Sequence, residues 1–231
     1  MLDQAFDALK TYDWGTDPNT LKPINDAVIA THGNDAARKE LETRLAAVLK
    51  TEATRDAKDF VCRKLMIVGT AASVPTLAEF LPDKDLSHMA RYALERIPAP
   101  EAAQAMRDAL PKVSGVLKVG VISSLGARRD AASVPAIAAL LGDSDAAVAR
   151  AAAYALGDIR TADAAKALTD AKPNAEAKSA DIDASLSCAE GLLADGKKPE
   201  ALAIYKSLVG EDQPKHVRMA ATRGMLACVG K

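Results

Sequence analysis

The side chains best able to do chemistry in this 231-residue chain are few and scattered. His32 lies in the turn-like run THGND, His88 opens one helical pattern and His216 opens another. A metal site or an acid–base pair needs such groups close together, typically three or four positions apart on one helix face. No such spacing occurs, so all three histidines are expected at the surface or at helix ends. Cys62, Cys188 and Cys228 are far apart and form no CxxC pair. Each sits at an apolar position of a helical pattern (FVCRKLMIV, SLSCAEGLL, GMLACVG), which predicts three buried thiols instead of a disulfide framework or a zinc site. The nucleophile and phosphate-loop signatures GxSxG, GxGxxG and GxxxxGK[ST] are absent. Ser123 and Ser124 adjoin Val121 and Leu125 on an apolar face, and read as small packing residues. Asp181 and Asp183 in SADIDAS read as helix-start carboxylates. No catalytic residue, metal or cofactor is therefore expected.

The composition narrows the elements that hold these groups. The chain is 49% hydrophobic but only 3% aromatic, and its apolar content is mostly Ala and Leu. Small side chains of high helix propensity suit closely packed helices, whereas sheets favour the aromatic and β-branched residues that are thin here. Thirty basic residues against thirty-one acidic ones give a net charge of −1. A nucleic-acid binder draws on a basic excess to neutralise phosphates, so that class is disfavoured. No apolar run approaches membrane-spanning length. Residues 1–10 lack the basic and apolar regions of a signal peptide, and Met1 is expected to be either a native start or the replacement of a removed leader.

Self-similarity gives the architecture. AASVPTLAEFL (71–81) recurs as AASVPAIAALL (131–141), and the tripeptide Tyr-Ala-Leu appears at 92–94 and again at 154–156. The interval holds a further pair, PEAAQAMRDAL and GVLKVGVISSLGA, so the unit is about thirty residues of helix–turn–helix. Ser73 and Ser133 are expected N-caps, with Pro75 and Pro135 in the first turn. Asp83, Asp85, Asp143 and Asp145 are expected to cap the second helices, and Gly126 and Gly157 to mark helix C-termini. Weaker pairs follow at 34–50 with 54–69, 161–171 with 179–196, and 198–209 with 214–230. Segments 2–11 and 23–31 form an N-terminal cap, with Phe6 and Trp14 covering the first repeat. The Ala positions 90, 93, 152, 155, 220 and 221 let helices come close. These patterns predict an all-α solenoid of six to seven hairpins in one domain over 1–231. It comprises a cap (1–33), core repeats (34–170) and C-terminal repeats (171–231), with the polar stretch 171–179 as its most flexible seam. No single hairpin can bury its apolar face alone, so stability comes from stacking.

The run Val134-Pro135-Ala136-Ile137, Leu140-Leu141, Asp143, Val148, Ala152, Ala155-Leu156-Gly157 resembles HEAT repeats of the phycobilisome-lyase HEAT-like subclass, and Val217-Arg218-Met219-Ala220-Ala221 resembles the last of them. The likeness implies a right-handed α-α superhelix, armadillo-like, whose second helices line a concave face. One departure stands out: the usual Arg after Val is Ala149 here, with Arg150 one place later. The longer run DFVCRKLMIVGTAASVPTLAEFL also resembles HEAT modules of large exported bacterial proteins, which implies an exported or periplasmic protein. HEAT-like enzymes offer little match. The di-iron hydroxylases of this class use repeated His-Glu pairs, absent here, and the alkylpurine glycosylases need a basic, aromatic-lined face.

The second helices carry Arg63, Lys64, Arg91, Lys118, Arg128, Arg129, Arg150, Arg218 and Arg223. Arg63, Arg91, Lys118, Arg128, Arg150 and Arg218 are the candidate partner-binding residues, a basic ladder suited to an acidic protein segment. The function read from the sequence is a non-enzymatic scaffold that binds a partner protein or a neighbouring domain of a longer chain, with no nucleic acid and no membrane insertion. A chromophore-handling, bilin-lyase-like accessory and a rigid spacer are the alternatives. Leu94 and Leu156, equivalent in the repeat, are core positions on this reading. Leu94→Arg or Leu156→Arg is expected to abolish the fold by burying an unpaired charge; far-UV circular dichroism checks this, and a helical, soluble Leu156→Arg variant would contradict the repeat register.

Overall fold

The computed structural model describes residues 1–171 and 176–230, and every regular element among them is helical. The chain divides into two compact units, Met1–Val113 and Ser114–Lys231. The first contains α1 (Leu2–Leu9), α2 (Lys22–Ala30), α3 (Asp35–Leu49), α4 (Arg55–Val68), α5 (Val74–Ala78), α6 (Ser87–Arg96) and α7 (Pro100–Ala109). The second contains α8 (Gly115–Ala127), α9 (Val134–Ala138), α10 (Ala146–Ile159), α11 (Ala162–Asp170), α12 (Lys178–Ala194), α13 (Lys198–Ser207) and α14 (Lys215–Val229). The segment read as the most flexible seam falls partly on residues 172–175, which lie outside the described residues; α12 begins at Lys178, within that segment.

In each unit the elements stack in two layers. In the first unit, α3 packs on α4, α4 on α6, and α5 on both α6 and α7. In the second, α10 lies between α8 and α12, α9 packs on α10 and α11, and α13 joins α12 to α14. The interleaved core is Leu and Ala: Leu45, Leu65, Leu77, Leu94, Leu125, Leu156 and Leu192 are 0% exposed, as are Ala90, Ala93 and Ala152. Ala155 and Ala221 are buried with them, but Ala220 faces solvent because it sits one residue off the buried face of α14. Phe6 is buried, whereas Trp14 is 55% exposed; Tyr12 fills the interior position instead and meets Trp14 edge-on at 5.7 Å.

Local chemistry explains where the helices begin. Asn34, Thr54, Asp145 and Thr161 each cap a helix through a side-chain oxygen that accepts a backbone N–H, offsetting the unpaired donors of a first turn. Pro75 and Pro135 occupy first-turn positions of α5 and α9. The serines before them do not cap. A 3₁₀ turn, Ala71–Ser73, runs directly into α5, so Ser73 is already helical (φ −87°, ψ −12°) and its hydroxyl is turned elsewhere. It donates to Glu42 Oε1 at 2.8 Å, and Ser133 donates likewise to the carbonyl of Asp130 at 2.7 Å. Glu42, only 3% exposed, accepts from the backbone N–H of Thr70 at 2.7 Å and from its hydroxyl at 2.8 Å. A carboxylate on α3 thus closes the start of the following repeat. Asp83 ties the turn before α6 by accepting from the N–H groups of Asp85 and Leu86, both at 2.8 Å, and the helix proper has no side-chain cap.

Gly126 and Gly157 lie in the last turns of α8 and α10, one and two residues before their ends. The reason for glycine there is that the next helix passes too close for any side chain. A Cβ at Gly126 would lie 2.8 Å from the Cα of Ala155, and one at Gly157 would lie 2.9 Å from the Cα of Ala184. The second helices α8, α10 and α12 therefore meet backbone to backbone through Gly–Ala contacts. The true ends of α8 and α10 carry left-handed arginines, Arg129 (φ 52°) and Arg160 (φ 57°). Each costs about 1 kcal/mol that glycine would not. Replacing Gly157 by Val is expected to destabilise the protein by about 3 kcal/mol, since the obstructing atoms belong to backbone. Thermal melting checks this as a fall of roughly 6–12 °C; a melting temperature equal to that of the wild type would mean the α10–α12 approach is looser than these distances.

Candidate interaction surface

Among the long side chains of the second helices, several stand at the surface. In the first unit α4 and α6 present a shared face. Arg63, 57% exposed at its side chain, donates from Nε to Asp59 Oδ2 at 3.0 Å, one helical turn away. Asp59 itself is buried. The Arg63 guanidinium lies 5.8 Å from the centre of the Trp14 ring, a cation–π approach at a partly exposed site. From α6, His88, Met89 and Tyr92 complete a cavity of about 190 Å³ with Asp59 and Arg63. Tyr92 is 45% exposed, and its ring centre is 6.1 Å from that of His88. Arg91 NH2 donates to His88 Nδ1 at 3.4 Å in the tautomer that leaves this nitrogen free to accept. Burial lowers the pKa of the Arg91 guanidinium, with Glu95 acting in the opposite direction. Burial, and then the neighbouring Arg63, lower that of Lys64, whose ammonium sits 4.6 Å from the centre of the Phe60 ring.

The remaining candidate cations belong to the second unit. Lys118 is half-buried on α8, and Arg128 is half-buried at its C-terminal end beside the exposed Arg129. Arg150 on α10 approaches Glu176 at 3.8 Å, both side chains being largely in solvent, so this pair contributes little. Tyr154, one turn further along, is 51% exposed. Aligning the two Tyr-Ala-Leu triplets makes Tyr154 the counterpart of Tyr92 and Arg150 the counterpart of His88; Arg91 corresponds to the fully buried Ala153. Arg218 and Arg223 stand on α14, where they flank an exposed apolar strip. Of the candidate cations, Arg63 lines this cavity and Arg91 bonds to His88 in its wall. Sequence reasoning missed Trp14, Tyr92 and Asp59 as members of this face, although the recurrence of an aromatic at 92 and 154 was a usable signal.

The chemically reactive groups are held inert or apart. Cys62 and Cys188 are buried, and burial pushes both thiols up to about 12, with Asp59 adding to the effect at Cys62; neither is a thiolate at neutral pH. Cys188 donates weakly to the carbonyl of Leu156 at 3.3 Å. Ser124 is fully buried, and Ser123 turns its hydroxyl back to the carbonyl of Val119 at 2.9 Å. Among the described residues no group of three or more His, Cys, Asp or Glu is placed to hold a metal ion, and no helix is long and apolar enough to cross a membrane.

This arrangement of paired helices is that of an all-α helical repeat protein. Residues 113–184 match the family model for HEAT repeats, the stretch that contains α8–α10 and the Gly–Ala contacts. No curated protein matches the chain. Among solved structures, an engineered protein is 17% identical with a TM-score of 0.46, over 99% of this chain and 68% of that one. A designed armadillo repeat protein is 15% identical with a TM-score of 0.39, over 99% of this chain and all of the other.

One carboxylate in the second unit is out of its usual range. Burial pushes Asp181, on the first turn of α12, up to about 6. Its Oδ1 is buried without a hydrogen-bond partner among the described residues. The folded value lies above the unfolded one of about 3.9, so this group favours the fold below pH ~4, and that contribution is lost as pH rises through about 6. Asp181→Asn is expected to remove the slope between those limits. It should raise stability at pH 7 by about 1 kcal/mol, a figure reduced for solvent screening because the side chain is only half-buried. Denaturant titrations at pH 4, 6 and 7.5 check this; parallel wild-type and variant curves would show that Asp181 is ordinarily solvated.

Proposed function

We propose that this chain is a non-enzymatic protein-interaction module, reading a segment of a partner protein, or of a neighbouring domain in a longer chain, with its second-helix faces. The observation that carries the reading is the α4–α6 face, where Trp14 and Tyr92 stand 55% and 45% exposed around Arg63. Aromatic and arginine side chains dominate binding energy where they are gathered in this way, and both rings bring large contact area at little entropic cost. The partner chemistry that fits is an extended segment with an apolar or aromatic anchor beside a carboxylate. The carboxylate would compete with Asp59 for the outer edge of Arg63. Arg91 adds a second cation through His88, and Lys118, Arg128, Arg150 and Arg218 extend the same preference for acidic segments to the second unit. The HEAT repeats of residues 113–184 belong to a fold whose general use is partner binding, and the buried, protonated thiols of Cys62 and Cys188 accord with a non-catalytic role.

A displayed random-peptide library selected on the full chain tests this. Wild type is expected to enrich acidic segments with an apolar anchor. Tyr92→Ala combined with Arg63→Glu is expected to weaken the selected peptides more than tenfold while leaving helicity unchanged, as loss of a binding hot spot does. Enrichment that ignores both substitutions, or none at all, would leave a rigid spacer as the better description.

A further inference from the structure

The helix α14 is amphipathic on two faces at once. Val217, Ala221 and Cys228 are buried, and α14 packs on α13 and α12. The opposite side carries Met219, Thr222, Leu226 and Val229, at spacings of three, four and three. Met219, Leu226 and Val229 are 63%, 66% and 70% exposed. This is the seam spacing by which one helix receives another. This exposed strip is flanked by Lys215, Arg218 and Arg223. The sequence of α14, KHVRMAATRGMLACV, contains no Asp or Glu, so the rim is uniformly cationic. Other exposed aliphatic side chains, such as Ile29, Ile67 and Val116, are not arranged in such a stripe on one helix.

We propose that the outer face of α14 is a docking site for an amphipathic α-helix whose apolar stripe is flanked by acidic residues. The apolar positions fill the Met219–Val229 seam, and the flanking carboxylates meet Arg218 and Arg223, which occupy the positions beside it. Charge sets the class of occupant. Two copies of α14 facing each other would oppose these cations with one another, which disfavours self-pairing. The site is separate from the α4–α6 face and does not depend on the function proposed for it.

The experiment uses the full chain and a fluorescein-labelled 21-residue helical peptide with Leu at the seam positions and Glu beside them. A Glu→Lys version and a scrambled version serve as controls. Saturable binding by anisotropy is expected for the first peptide alone, weakened about tenfold by Leu226→Glu and by Arg218→Glu/Arg223→Glu, with the double variant recovering affinity for the Glu→Lys peptide. Leu226 and Arg223 are exposed and Arg218 is half-buried, so circular dichroism checks that each variant keeps the fold. The Tyr92→Ala/Arg63→Glu variant should bind the peptide as wild type does, which separates failure here from failure of the α4–α6 reading. Any of four results would overturn the proposal: no saturable binding, equal binding of the scrambled peptide, self-association of wild type abolished by Leu226→Glu, or binding confined to phosphatidylserine vesicles.

Discussion

In the second unit much follows from the close approach of neighbouring helix backbones. Where a Cβ at Gly126 or Gly157 would sit less than 3 Å from the Cα of an alanine on the next helix, the pair cannot tolerate a larger side chain on either side. Helices usually stack 8–10 Å apart, the distance being set by the residues at the contact; Gly facing Ala brings them to the short end of that range. Such contacts gain dispersion energy over many backbone atoms and tolerate almost no variation. Gly191 extends the theme in another form, since a Cβ there would meet the aliphatic stem of Arg160 at 2.6–3.0 Å. A long cation is thereby laid flat across a helix at the end of α10.

That constraint also decides what the surface can do. In the second unit small residues occupy the seams between second helices, so long side chains such as Arg150 and Tyr154 point away from them. The exposed tyrosines at 92 and 154, and the cations near them, are the outward half of a pattern whose inward half is Ala, Gly and Leu. Chemistry that needs enclosed, converging polar groups has little room in such an interior. The buried polar groups that do occur are structural. Glu42 is saturated by Thr70 and Ser73, and the half-buried Arg38 donates from Nε to the carbonyl of Val68 at 2.8 Å and from Nη2 to that of Gly69 at 3.2 Å, closing the end of α4. In the first unit these two charged side chains do the joining that Gly–Ala contacts do in the second. A carboxylate gathers the donors at the start of one element, and a guanidinium gathers the acceptors at the end of another, each in keeping with the helix dipole.

The sequence by itself determined the class of fold and the register of the repeat. Two copies of AASVP and of Tyr-Ala-Leu placed the helices to within a few residues, because periodic burial of Leu and Ala is written directly in the chain and neighbouring repeats bury the same positions. The burial of all three cysteines followed from the same periodicity. Tertiary structure alone decided three other matters. Ser73 lost its expected cap role because a 3₁₀ turn already carries the helical backbone through it, and its hydroxyl donates instead to Glu42, thirty-one residues earlier. Gly126 and Gly157 do fall in the last turns of their helices, but as contact points with the next helix, and the left-handed positions that end the helices fell to Arg129 and Arg160. The surface groupings were the least legible. Trp14 reaches Arg63 from forty-nine positions away, and the two apolar faces of α14 differ only in which one another helix covers. Local pattern fixes what a helix can bury; only packing decides which face is left for a partner.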